Sequence, residues 1–405
     1  MLRIPAVALL TGLLLLPSGS IAQVGVPPLG GVLDRLGNPV GHALGTIADV
    51  SRGATDLAQA RAERLSRFVT RNPAQVEFDA QHRPARRGVL LILDPTADDL
   101  RIAAGAGFAV IAQGSIEGLD LPYAQLAAPE RLALGRAETA LRLLLPRAQV
   151  TADQLYFPSG SIGQPAAAAR RSAPPRPAGT VGVIDGGVVA GGEIAAQAGF
   201  AAGAPRPSPH AQSIRSLLAG AGTARLFVAD VYGSDPAGGN ALAIARALGW
   251  MIRQDVPVVS ISLVGPANPL VGRAIDQARA RGLIVVAAVG NDGPAAPAAF
   301  PASYPGVIAV TGVDRQDRVL FEAGKADHLD YAAPGADLTA IALDGRRVAV
   351  RGTSFAAPLA AARIAALRQS AGSVAQTLQL ADREALRRGS RVGRGVLCAG
   401  CRRGS

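Results

Sequence analysis

Beyond Gly179 the chain alternates short apolar segments with helical ones, and this alternation restricts the fold more than any other feature. Val181–Ile184, Leu226–Val231, Val258–Leu263, Ile284–Val289 and Val307–Val313 are almost wholly apolar. Segments opening near His210, Gly239, Pro269 and Ser354 have helical character. A strand without a polar face has to be covered on both sides, and strand–helix–strand crossovers join parallel neighbours. Residues 179–405 are therefore predicted to form an α/β domain, a parallel sheet with helices on both faces. Ligand sites in such sheets lie beyond the carboxyl ends of the strands, where Asp185 and Asn291 sit.

Residues 89–158 read as a smaller unit. Val89–Leu93 is a strand, Thr96–Ala104 a helix opened by a Thr-x-x-Asp box, and Phe108–Ala112 a second strand. A strand near Leu121–Leu126, a helix over Gly135–Leu145 and a closing strand near Gln154–Phe157 complete a β-α-β-β-α-β order, the α+β ferredoxin-like arrangement. It carries no nucleophile, base or metal cluster, which suits a binding or folding role. Residues 159–178 form an Ala/Pro/Arg-rich linker in which a proteolytic junction is expected.

Residues 23–88 are rich in Gly, Pro and Arg, with one amphipathic helix around Ala54–Val69 where Leu57, Leu65 and Phe68 recur. Residues 1–22 read as a signal peptide: a charged Met1-Leu2-Arg3, an apolar Ile4–Leu16, and small Ser20 and Ala22 before a cut placed after Ala22. The apolar run is shorter than the roughly 20 residues a membrane span needs, so no stable membrane anchor is expected. The protein is expected to be secreted or periplasmic.

The formal charge of +11 invites a nucleic-acid reading. Lys325 is the one lysine, the arginines are scattered, and no basic strip is interleaved with aromatics, so no nucleic-acid partner is expected. Hydrophobic residues make up 49% of the chain and aromatics 4%, which predicts a core of small side chains in closely packed layers. Cys398 and Cys401 supply two ligands where a structural zinc site takes four, and a local disulfide is expected instead. No metal site and no cofactor are assigned. Structural calcium is left open, because no acidic loop has convincing ligand spacing.

Four residues carry candidate chemistry. Ser354, in Gly352-Thr353-Ser354-Phe355-Ala356-Ala357-Pro358, opens a helix of small residues. Serine commonly caps helices, but a glycine before it and small residues after it let a substrate backbone approach the free helical N–H groups. Asp185 closes an apolar strand, where it could orient a histidine, bind a metal or ribose, or cap a turn. Of the four histidines, His42 and His82 lie in the amino-terminal region and His328 in a polar loop. His210, at a helix start after a Pro-rich loop, is the one placed to serve as base. Asn291, in Gly290-Asn291-Asp292-Gly293, is a turn residue by default and an oxyanion donor beside a nucleophile.

Residues 179–367 resemble the subtilisin family of serine peptidases. The segment Gly352–Pro358 is similar to the family's nucleophile motif, Val183-Ile184-Asp185-Gly186-Gly187 to its aspartate motif, and Val285–Gly293 with Pro301–Val310 to its asparagine strand and the segment beyond. The order Asp, His, Asn, Ser agrees. The resemblance implies a serine endopeptidase with Asp185, His210 and Ser354 as catalytic triad, acting through an acyl-enzyme, and Asn291 in the oxyanion hole. It also implies that Ser262, Leu263, Val264 and Gly265 form one wall of the first specificity pocket, and that Ala287, Ala288 and Gly290 form the other. Protein or peptide substrates follow, with the ferredoxin-like unit as an inhibitory propeptide cut off between about Pro158 and Ala178. Two residues depart from the family pattern. Val264 stands where the family usually has Gly, which predicts a narrowed pocket, and His210-Ala211-Gln212 replaces the usual His-Gly-Thr. The second departure keeps a catalytically impaired binding module open as an alternative. An esterase reading is set aside, since it would need a Gly-x-Ser-x-Gly elbow and a serine that comes first in the chain.

Overall fold

The computed structural model describes residues 39–165 and 178–403. The expected signal peptide and residues 166–177 of the expected linker lie outside the described residues. Residues 1–51 and 52–405 form two compact units. Of the first, the described part is the opening of helix α1 (Pro39–Arg71), which ends within the second.

The smaller sheet contains β1 (Val76–Phe78), β2 (Pro84–Leu93), β3 (Ala109–Ile116), β4 (Leu121–Ala127) and β5 (Gln149–Gln154), all antiparallel, in the order β1-β2-β4-β3 with β5 on β2. Helix α2 (Ala97–Gly105) starts on the expected capping box: Thr96 Oγ1 accepts from Asp99 N–H at 3.1 Å, and the Asp99 carboxylate accepts from Thr96 N–H at 2.9 Å. Helix α3 (Leu134–Leu144) buries Leu134, Ala137 and Leu141 among Leu90, Ile92, Leu126 and Val150.

Two expected boundaries shift. The sheet begins at Val76 rather than Val89, because Pro84–Arg86 pairs with Val76–Phe78 despite its proline and arginine. The closing strand is Gln149–Gln154 rather than Gln154–Phe157. Val150 and Ala152 face the core, and from Leu155 the chain leaves the sheet.

The larger sheet contains β8 (Thr180–Asp185), β9 (Ile194–Gly199), β10 (Arg225–Asp230), β11 (Val258–Ile261), β13 (Ile284–Ala288), β14 (Ile308–Val313) and β15 (Tyr331–Pro334). All are parallel, in the order β15-β14-β13-β11-β8-β10-β9. The two edge strands were not expected: β9 is half-buried and Ala-rich, and β15 is four residues long. Helices α5 (Ala241–Arg253) and α6 (Pro269–Ala280) pack in one core. Helices α4 (Pro209–Gly220), α7 (Thr353–Arg368) and α8 (Val374–Glu384) pack in another. The fold class is the expected one. Buried Ala356, Ala357, Ala360 and Ala361 let α7 lie close against the strands, as the composition implied.

The small sheet docks on α5 and α6. Leu91, Leu93, Ile116, Leu121 and Tyr123 join their core. A Cβ at Gly249 would stand 2.2 Å from the Glu117 carbonyl oxygen, so only glycine permits this approach. Strand β5 supplies an acceptor for a free N–H group at the start of α5 and holds the side chain that caps α6. Asp153 Oδ1 accepts from Leu242 N–H at 3.0 Å, and Thr151 Oγ1 and Ala152 O accept from Asn268 Nδ2 at 3.2 and 3.1 Å.

After β5 come β6 (Phe157–Pro158) and β7 (Ser161–Pro165). Strand β6 pairs antiparallel with β12 (Leu263–Val264). Strand β7 pairs antiparallel with β17 (Arg347–Arg351), which also pairs with β16 (Leu338–Ile341). Cys398 and Cys401 form a disulfide, as expected. Among the described residues no helix is long and apolar enough to cross a membrane.

Candidate active site

Ser354 is the second residue of α7, behind Gly352, whose φ of +137° is open to glycine alone in practice. Pro358 lies four residues on and has no N–H, so the Ser354 carbonyl lacks its helical donor. Ser262 replaces it: its Oγ donates to Ser354 O at 2.8 Å, and the Ser262 carbonyl accepts from Ser354 Oγ at 3.2 Å. The break between β11 and β12 falls at Ser262.

Asp185 closes β8 and is fully buried. Its carboxylate accepts from Gly186 N–H at 2.8 Å and faces His210 Nδ1 at 3.1 and 2.9 Å. His210 is held at the start of α4, where Pro209 sets the first turn and Ser208 Oγ caps Ala211 N–H at 3.2 Å. Burial works against the charged imidazole. The Asp185 charge and hydrogen bond and the Ser159 carbonyl outweigh it and hold the His210 pKa above its ordinary value. The two residues after His210 that depart from the family pattern are both held in the fold. Ala211 is buried, and Gln212 Oε1 accepts from Val189 N–H at 3.2 Å, tying the helix to the loop beyond Asp185.

Asn291 follows β13. Its Oδ1 accepts from Thr353 N–H at 2.9 Å, and Thr353 Oγ1 donates to the Gly290 carbonyl at 3.1 Å. These bonds fix the side chain and leave its Nδ2 buried with no partner. A buried amide donor held beside a nucleophile is what an anionic oxygen would need.

The cleft is occupied by the chain's own segment 157–161. Pro158 pairs with Leu263 and Phe157 with Val264 on one side of Ser354, and Ser161 pairs with Arg351 on the other. Ser159 and Gly160 lie between. The Ser159 carbonyl stands 3.3 Å from His210 Nε2, and its hydroxyl 2.8 Å from Ser354 Oγ. Gly160 has φ +138°, and a Cβ there would be 3.0 Å from the Phe355 ring and 3.4 Å from Ser354 Cβ. Upstream, Tyr156 is fully buried, donating from its hydroxyl to the Pro266 carbonyl at 2.8 Å.

All four candidate residues therefore meet at one end of the sheet. In this arrangement His210 Nε2 faces Ser159 rather than Ser354. Val264 lies against Gly290, where an added Cβ would be 3.3 Å from its methyl. The space between Val264–Gly265 and Val289–Gly290 holds only about 10 Å³, no more than one water needs. Ser159 and Gly160, read as linker, are part of the site. So is Thr353, a motif residue with no role assigned from sequence. So too are Arg61 and Arg64 of α1, whose only sequence signal was a helix register that shares one face.

Residues 186–387 match the family model described as the subtilase family. The minor extracellular protease Epr of Bacillus subtilis is 30% identical over 132 residues, 32% of this chain and 20% of that protein. Subtilisin BL of Lederbergia lenta is 30% identical over 154 residues, 38% of this chain and 56% of that protein. The chain thus spans between 20% and 56% of the length of these relatives. Among solved structures, fervidolysin from Fervidobacterium pennivorans superposes with a TM-score of 0.65 at 15% identity, covering 79% of this chain and 61% of that one. The epidermin leader peptide processing serine protease of Staphylococcus aureus superposes at 0.59 and 16% identity, covering 77% and 97%. These two likenesses concern the fold.

Proposed function

The chain belongs to the subtilase family, and from that premise we propose that it is a secreted serine endopeptidase whose first substrate is its own Ser159–Gly160 bond. The observation that carries this reading is segment 157–161, laid antiparallel on both sides of Ser354 beside a buried Asp185–His210 pair. Residues 76–159 are then an inhibitory propeptide held by its own tail.

In the reaction His210 Nε2 takes the Ser354 proton while Ser354 Oγ bonds to the Ser159 carbonyl carbon. Asp185 orients the imidazole and stabilises its charge. The developing oxyanion turns from His210 toward the free Asn291 Nδ2 and the Ser354 N–H. The C–N bond breaks, Gly160 N leaves with the proton from His210, and water then releases Ser159 as a carboxylate. No metal or cofactor enters any step.

Beyond self-cleavage, protein and peptide substrates would bind as segment 156–159 does. Val264 narrows the first pocket, which suits a residue as small as Ser159 and disfavours Phe or Tyr at that position. A peptide-library digest with the processed enzyme tests this. Cleavage after small residues supports it, and efficient cleavage after Phe or Tyr contradicts it.

A further inference from the structure

Helix α1 reaches the cleft independently of the tail. Along Gly53–Phe68, roughly 22 Å of helix, it touches the catalytic domain at successive points. Gly53 lies against Phe321, where a Cβ would be 2.7 Å from the ring, and Leu57 covers Gly293. Arg61 Nε and Arg64 Nη2, three residues apart and so on one face, both bind Asp292, at 3.0 and 2.5 Å. Asp292 directly follows Asn291. At the far end Phe68 packs edge-on to Phe157 with centroids 5.2 Å apart.

Arg61, Arg64 and Leu65 line the same cleft of about 360 Å³ as Ser159, Asn291 and Asp292. Arg61 also closes the small pocket beside Val264. The other charges facing the cleft, Glu322 and Arg351, neutralise one another at 2.7 Å. Asp292 is thus answered by the helix, and a substrate chain entering beside Val264 would meet α1.

We propose that residues 53–71 are a second inhibitory element, a strap clamped over the unprimed side of the cleft by the Arg61/Arg64–Asp292 cluster. The inhibitory role rests on the peptidase reading above. Most of its anchors, Phe321, Gly293 and Asp292, lie downstream of Ser159–Gly160. Cutting that bond leaves them in place. Cleavage and activation are therefore separate events, and the strap must leave before external substrates enter.

The test has two arms. In the full chain carrying Ser354→Ala, hydrogen exchange of residues 53–71 is compared with and without Arg61→Gln/Arg64→Gln. The strap predicts exchange at least about fivefold faster in the double variant, as expected for losing two partly exposed ion pairs, with residues 84–154 unchanged. Arg61→Glu/Arg64→Glu should show the same loosening, and adding Asp292→Arg should restore protection. Equal exchange in all forms overturns the clamp. In the chain with Ser354 intact, Arg61→Gln/Arg64→Gln should shorten the delay between the Ser159–Gly160 cut and the appearance of peptidase activity by a similar factor. An unchanged delay overturns the inhibitory role. If the wild-type chain never cuts itself, the peptidase reading fails, and the exchange arm still decides the clamp.

Discussion

The Ser159 hydroxyl lies 2.8 Å from the Ser354 hydroxyl. The segment that would be cut therefore rests on the group that would cut it, while its carbonyl faces His210 instead of Asn291. This resting state favours the charged form of His210, which cannot accept the Ser354 proton.

The pH dependence of self-cleavage follows. The His210 pKa is raised above its ordinary 6.5. The stabilisation of the closed arrangement is then fully present below about pH 6.5 and lost as pH rises through the raised value. Loss of the proton also creates the base. Self-cleavage should be slow below about pH 6.5 and accelerate above it, in time courses across about pH 5 to 9. A rate that is independent of pH across that range would contradict the role of His210.

On the proposed mechanism Asn291 has two functions, one on each of its amide atoms. Asn291→Asp keeps the oxygen that accepts from Thr353 N–H and removes the donor. It should lower kcat by on the order of 10²–10³ with KM little changed, a magnitude taken from the handling of the same donor in subtilisin itself. Steady-state kinetics on the processed enzyme measure it, and a loss confined to KM would contradict the oxyanion role.

Ser262 and Pro358 are coupled through the Ser354 carbonyl. Ser262→Ala leaves that buried oxygen without a donor and should destabilise the fold by about 1–3 kcal/mol. Pro358→Ala restores an N–H within the helix, so the double variant should recover much of the loss. Denaturant unfolding of the four forms reads the coupling, and simple additivity would refute it.

The site residues also show what was legible in advance. Asp185, Asn291 and the Ser354 helix are signalled by strand ends and a short motif, because a parallel sheet with a site at its carboxyl edge leaves few other places for chemistry. The small unit was legible from the periodicity of Leu90, Ile92 and Leu126. The path of residues 155–161 was not. A segment that pairs with the cleft instead of its own sheet has no local period, and Phe157-Pro158-Ser159-Gly160 reads as the end of a strand running into a linker. Strand β15 and the Arg61/Arg64–Asp292 cluster were hidden for a related reason, since each depends on a partner far away in the chain.

Asp153 makes docking of the small sheet sensitive to pH. Burial is the largest influence and pushes its carboxyl up to about 6 from 3.8, against the Leu242 N–H and the positive charges of Arg86 and Arg246. Its Oδ2 has no partner. An acid whose folded pKa is raised holds its proton where the undocked chain has lost it. Stability therefore falls as pH rises from about 4 to about 6, by roughly 3 kcal/mol in all, and the full penalty persists above that window. Asp153→Asn keeps an acceptor for Leu242 N–H and removes the penalty. It should stabilise the Ser354→Ala chain near neutral pH and flatten its pH profile, as read by thermal unfolding. A variant less stable than its parent at neutral pH would contradict this assignment.

The most direct test of the peptidase account is the mass and amino-terminal sequence of the purified chain, compared with its Ser354→Ala form. The account predicts a new amino terminus at Gly160 in the first and an intact Ser159–Gly160 bond in the second. The same cut in the Ser354→Ala chain, or no cut at that bond in the unaltered one, would contradict it.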